Sequence, residues 1–276
     1  MEGYTLPLYL LLFLIGASIA SFYITLAERI LEYFYGKKRK NKSTLQKWKE
    51  IFGTPSHCPR CELPVEKLSL IPNLGYFITR GKCNHCDMPL KKLYPLSEFF
   101  LGFFLCVLYF ITNNVLASVC FTILLGHLLI SMITDSEKFI LDYENLAFIL
   151  LFGIVTKFLL YDSIPDLTNL YVLLGFGLFY TIIYFAFPGG TGLGDVLFSP
   201  VFAFIVGHPY WMVYLNSAYV LALFLTLVSK KRGESLKGKK IPMGLYFSLG
   251  LFISLTTELL MNHYQLQGLD IYGSTK

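Results

Sequence analysis

The chain has 276 residues, of which 55% are hydrophobic and only 15% charged, with a mean hydropathy of +0.57. A soluble globular domain carries about 25% charged residues, so this composition excludes a water-soluble globule and points to lipid as the main solvent. The formal charge of +5 is modest, and its placement decides what it means.

A membrane-spanning helix needs about 20 mostly apolar residues. Eight stretches approach this requirement: Leu6–Ala27, Leu96–Thr112, Val115–Thr134, Asn145–Tyr161, Leu167–Phe187, Val196–Val213, Tyr214–Val228 and Ile241–Leu260. The sixth and seventh are divided only by Gly207-His208-Pro209 and the residues just after it. The first stretch has no basic run before it and is followed by Arg29 and Lys37-Lys38-Arg39-Lys40, so it reads as a retained anchor rather than a cleaved signal. The expected architecture is an all-α polytopic membrane protein with about eight transmembrane helices. Residues 1–28 form the first helix, 29–95 a cytoplasmic insertion, and 96–276 a membrane core. No internal repeat and no low-complexity linker is read.

Charge sets the orientation. If the N-terminus lies outside, the inner segments Arg29–Pro95, Asp135–Glu144, Pro188–Asp195 and Ser229–Lys240 hold 21 of the 23 Lys and Arg residues. The positive-inside rule then puts both termini outside. The basic tract is accounted for as a topology-setting flank, which leaves no need for a nucleic-acid partner; the lipid bilayer is the partner that composition requires.

The insertion contains Cys58-Pro59-Arg60-Cys61, then 21 residues, then Cys83-Asn84-His85-Cys86. Two Cys-x-x-Cys pairs at this spacing can each grip one edge of a tetrahedral ion. Cytoplasmic placement disfavours disulfides, and four thiolates favour zinc in a structural role. His57 and His85 are left as surface residues, and Cys106 and Cys120 fall inside spans.

Acids in membrane segments are costly and usually functional. Asp135 follows the third stretch and Asp195 opens the sixth after Gly189-Gly190-Thr191-Gly192-Leu193-Gly194. They lie 60 residues apart in sequence but at the same inner rim. Two carboxylates meeting across one water form an acid–base pair for peptide hydrolysis. Gly192 and Gly194 would let a peptide backbone approach Asp195. As isolated features, Asp195 reads equally as a helix cap and Asp135 as a solvated helix end. Asp142 is the alternative to Asp135. A proton-relaying transporter is the competing reading, disfavoured because the acids sit at the rim rather than the midplane.

Several blocks in order carry a resemblance. Ala20-Ser21-Phe22 leads to Arg29. The two-knuckle insertion follows, with Ile71-Pro72-Asn73, Arg80-Gly81-Lys82-Cys83 and Tyr94-Pro95-Leu96 before Glu98. Then come Asp135, Gly192-Leu193-Gly194-Asp195, and Lys240-Ile241-Pro242-Met243-Gly244. Together they resemble the bacterial type IV prepilin peptidase family. The resemblance implies an aspartic endopeptidase of the bacterial inner membrane, with Asp135 and Asp195 catalytic, cleaving the leaders of type IV prepilins or pseudopilins on the cytoplasmic side. It further implies, for many members, N-methylation of the new terminus with S-adenosylmethionine, in a region to which Arg29 and Glu98 belong. The chain departs from the pattern at Leu197, where the family has Lys, and at Ile24, where it has Asn. A catalytically silent membrane scaffold of a pilus or secretion assembly is the alternative these departures leave.

Overall fold

The computed structural model describes residues 5–39, 42–230 and 240–263. Both chain ends and residues 231–239 of the second basic loop, on which the orientation partly depends, lie outside the described residues. The described residues are almost wholly helical: α1 Thr5–Phe34, α2 Thr44–Gly53, α3 Leu74–Ile78, α4 Leu93–Thr112, α5 Val115–Lys138, α6 Tyr143–Tyr161, α7 Leu167–Ala186, α8 Leu193–Val206, α9 Trp211–Val228 and α10 Met243–His263. Extended pairing among them is confined to two isolated bridges. Seven of these helices are long and apolar enough to cross a membrane, and the chain is a multi-pass membrane protein.

Three boundaries differ from the sequence reading. Helix α1 continues past Ala27 to Phe34, because nothing in Glu28-Arg29-Ile30-Leu31 interrupts a helix. Helix α5 runs through Asp135 to Lys138 and stops at Phe139, whose φ of 56° is left-handed. The sixth stretch does not reach Val213. Helix α8 has only 14 residues, ending at Val206, and α9 begins at Trp211. The break is enforced at Gly207, where φ is +69° and an added Cβ would stand 2.6 Å from the Asn169 amide nitrogen. That same amide donates to the Phe204 carbonyl at 2.7 Å, satisfying one of the carbonyls left open at the end of α8.

The chain divides into two compact units, residues 1–130 and 131–276. In the first, α1 and α4 pack together through glycines on both sides. A Cβ at Gly16 would meet the Leu101 carbonyl oxygen at 2.5 Å, and one at Gly102 the Phe13 carbonyl oxygen at 2.8 Å. Such close backbone approach is what small residues permit between helices in lipid. Helix α2 starts at a Ser43–Gln46 capping box, and its C-terminal turn is held by the Arg29 guanidinium, which donates to the Ile51 carbonyl. Next to Arg29, Glu28 accepts from Lys91 at 2.8 Å and from the Tyr94 hydroxyl at 2.7 Å.

In the second unit α8 is central, touching α6, α7, α9 and α10. Its residues Phe198, Ser199, Phe202, Ala203 and Ile205 are buried. Its C-terminal end is fastened by an ion pair: Lys157 on α6 meets Glu258 on α10 at 2.9 Å and donates to the Val206 carbonyl at 2.9 Å. By contrast α7 is nearly all exposed, as a lipid-facing helix should be.

Candidate active site and metal centre

The two acids named from the sequence come together inside the second unit, one in the last turn of α5 and one in the first turn of α8. Asp135, buried in the last turn of α5, is held through Oδ2 by the Leu245 amide at 3.2 Å, with the Gly244 amide facing it as well. These are first-turn N–H groups of α10, which have no partner within their own helix and which sit at the positive end of its dipole. Asp195, half-buried in the first turn of α8, accepts from the Gly192 amide at 3.1 Å. The two carboxylates are near enough for the charge of Asp135 to act on Asp195.

Leu141 is the buried wedge around which they converge. A Cβ on Gly194 would stand 3.0 Å from its Cδ1, and one on Gly244 would stand 2.6 Å from its Cδ2 and 3.0 Å from the Asp135 Oδ2. A Cβ at either place would crowd these atoms: at Gly194 the seat of α8 on Leu141, at Gly244 the seat of α10 on Leu141 and on the Asp135 carboxylate. Gly192 is the N-cap of α8 with an ordinary φ of −81°, so its part is to supply the amide that holds Asp195 rather than an unusual backbone angle. Left-handed freedom is used once in the turn, at Gly189, whose φ is +82°.

One turn below Asp135, Ser131 accepts from the Asn145 amide at 3.0 Å and ties α5 to α6. Beneath Asp195, the buried Tyr214 donates to Ser199 at 2.9 Å. Sequence reasoning did not identify Leu141 or the backbone amides of α10 as site elements. Gly244 was visible in the Ile241-Pro242-Met243-Gly244 block, but its contact with Asp135 was not.

Asp142, the alternative to Asp135, lies in the turn before α6. Burial, with the charge of Glu144 added, pushes its carboxyl up to about 6.

The four cysteines of the insertion also come together. Their sulfurs lie within 4.8 Å of one another, with Cys58 and Cys86 at 3.7 Å and Cys61 and Cys83 at 3.9 Å. Thiolates about 2.3 Å from a tetrahedral metal stand about 3.8 Å from each other, so the cluster can hold one zinc ion. Backbone N–H groups of Cys61 and Arg60 face the Cys58 sulfur and lower its pKa, favouring the thiolate there.

The two knuckles repeat one another, a regularity the sequence reading passed over. In the first, Cys58 N–H donates to Leu63, Glu62 N–H to Cys58, and Val65 N–H to Ser56. In the second, Cys83 N–H donates to Met88, Asp87 N–H to Cys83, and Leu90 N–H to Gly81. The offsets are identical, and the residue after each second cysteine, Glu62 or Asp87, is left-handed in both. The signal was present in Cys61-Glu62-Leu63-Pro64 and Cys86-Asp87-Met88-Pro89.

Arg29 and Glu98 lie elsewhere in the first unit, on the wall of a cavity of about 330 Å³ shared with Glu28, Tyr76 and Tyr94. Glu98 is buried on α4 and accepts from the Asn73 amide at 2.6 Å. Neither departure from the resemblance enters a described contact of the site: Leu197 is exposed and Ile24 is buried in the first unit.

Seven candidate membrane helices, a four-cysteine cluster that can hold a metal ion and two carboxylates at helix ends define a multi-pass membrane protein built around an acidic pair. Residues 14–112 match the bacterial Peptidase A24 N-terminal domain, and residues 122–227 match the type IV leader peptidase family. The chain belongs to the type IV leader peptidase family, and this membership supports a prepilin peptidase activity. No curated protein and no solved structure matched the chain.

Proposed function

We propose that the chain is an intramembrane aspartic endopeptidase of the bacterial inner membrane that removes the leaders of type IV prepilins or pseudopilins on the cytoplasmic side. The observation that carries this reading is the convergence of Asp135 and Asp195 around Leu141. One carboxylate takes a proton from water as it attacks the scissile carbonyl, and the other gives a proton to the departing amine. The short peptide turn 188–194 gives an extended substrate backbone access to Asp195. The cytoplasmic assignment follows from the 21 basic residues of the inner segments.

The test is leader removal from a co-expressed prepilin. Asp135→Asn and Asp195→Asn each abolish cleavage while the protein still accumulates in the membrane, and Asp142→Asn retains it. Substantial cleavage by either of the first two variants rejects the pair. A wild-type chain that cleaves nothing, yet is required for pilus or secretion assembly, establishes the scaffold reading instead.

The cavity beside Arg29 and Glu98 favours a second activity, N-methylation of the new terminus. S-adenosylmethionine would supply the methyl group. Glu98 is the carboxylate placed to hold a cationic group there, since both oxygens of Glu28 are taken by Lys91 and Tyr94, and Tyr76 and Tyr94 line the cavity. Transfer of label from methyl-labelled S-adenosylmethionine to cleaved pilin tests this independently of the dyad.

A further inference from the structure

The part of the insertion between the two knuckles carries apolar side chains that nothing in the first unit covers. Leu68 is 65% exposed, Leu74 55%, Phe77 71% and Ile78 59%. This is not loose chain. The turn Lys67–Leu70 and helix α3 are locked back to back at Gly75, where a Cβ would stand 2.1 Å from the Ser69 carbonyl oxygen. Ile71 and Leu68 close the first turn through backbone hydrogen bonding, and Gly75 N–H donates to Ile71 at 2.8 Å. A rigid double turn thus presents four large apolar side chains outward, an arrangement that marks a binding surface rather than a core.

Its height relative to the membrane is fixed by one bond. The Asn73 amide at the start of α3 donates to Glu98 of α4 at 2.6 Å. Glu98 is five residues past Leu93, where α4 begins after Lys91-Lys92. At 1.5 Å per residue this is about 8 Å along the helix. With Lys91-Lys92 placed at the outer edge of the headgroup zone, which is about 5–7 Å thick on each face of a bilayer, Asn73 comes level with the start of the acyl chains. The outward residues of α4 at this level, Leu96 and Phe99, are themselves 68% and 57% exposed, as lipid-facing residues are. Exposed basic residues, Lys67 at the start of the double turn and Arg80 after it, flank the apolar set, and the neighbouring acid Glu66 is engaged by the Asn84 amide at 3.1 Å. This is the charge distribution of a segment lying in the plane of an anionic membrane surface.

We propose that residues 67–80 are an in-plane membrane anchor: Leu68, Leu74, Phe77 and Ile78 enter the acyl boundary of the cytoplasmic leaflet, while Lys67 and Arg80 meet acidic headgroups. The anchor holds the cysteine module flat against the bilayer, so the insertion is a peripheral membrane element and not a free cytoplasmic domain.

The experiment uses the full chain with Trp48→Phe and Trp211→Phe, reconstituted in vesicles of phosphatidylethanolamine and phosphatidylglycerol. Phe77→Trp is the reporter and His85→Trp, on the second knuckle, the reference. Zinc content and helical circular dichroism confirm folding in each. Lipids brominated in the acyl chains quench the reporter at 77 several-fold more than the one at 85, and aqueous acrylamide quenches it several-fold less. Replacing phosphatidylglycerol by phosphatidylcholine, or introducing Lys67→Gln with Arg80→Gln, reduces the brominated-lipid quenching at 77. Strong acrylamide quenching at 77 without lipid quenching overturns the anchor. Protection at 77 from both quenchers also overturns it, and shows that a protein surface, a second copy or a substrate helix, covers the double turn.

Discussion

At the scale of single residues, the site depends on the absence of one methyl group. Gly244→Ala would put a Cβ 2.6 Å from Leu141 and 3.0 Å from the Asp135 carboxylate. Leu141 is buried and has little room to retreat. Overpacking of this kind costs about 1–3 kcal/mol, and here the displaced atoms include Oδ2 of Asp135. We expect Gly244→Ala to lower both the melting temperature and leader cleavage, the latter by an order of magnitude or more in a cleavage time course. Gly175→Ala is the control, since it lies on α7 with nothing within 4 Å of its added Cβ. Exchanging glycine for alanine in a helix interior is neutral or favourable by up to about 1 kcal/mol, and cleavage should be unchanged. Asp142 yields a pH signature. Its carboxyl is raised to about 6 in the fold by burial and by Glu144, against about 3.9 in an unfolded chain. Between these values the folded protein holds the extra proton, so stability falls as pH rises through this window and levels off above it. Asp142→Asn removes that part of the slope, which melting curves from pH 4 to 7 in detergent can read. Both acids were legible in the sequence as acids at the ends of apolar stretches. What holds them was not: the partner of Asp135 is a backbone amide 110 residues away, and a backbone amide leaves no mark in a sequence.

At the scale of elements, the long helices were legible because an apolar run of about 20 residues has few alternatives in lipid. The end of α8 was not. The apolar run continues through Gly207 to Val213, and hydropathy does not register that Asn169 seals the helix there. The cysteine knuckles behave as two copies of one element with the same internal hydrogen bonds. A region with little apolar core depends on its staple. Purified protein should carry about one zinc per chain, as a closed four-thiolate site requires. Because the copies are equivalent, Cys58→Ser and Cys83→Ser should lower zinc content alike and make the insertion similarly protease-sensitive. Full zinc retention in either variant would show that its knuckle is not a ligand pair.

At the scale of the whole molecule, a peptidase whose acids sit at the ends of membrane helices can measure its substrate by depth. A substrate whose apolar helix lies in the bilayer presents its cleavage glycine at a set height. Moving that glycine four residues towards the cytoplasm displaces it by about 6 Å. Cleavage of such a variant prepilin should fall sharply although the sequence around the bond is unchanged. Indifference to the displacement would mean that local sequence alone selects the bond. The brevity of α8 has a consequence for the solvent. Fourteen helical residues extend about 21 Å, whereas the hydrocarbon of a bilayer is about 30 Å deep. Enclosed by α6, α7, α9 and α10, α8 by itself falls short of a full crossing, and the glycine-rich stretch before Leu193 offers bare backbone at one of its ends. Every bond hydrolysed consumes a water molecule. Asp195, only half-buried in the first turn of this short helix, is the end of the pair that water can reach, so that the reactant most foreign to a membrane has the shortest way in.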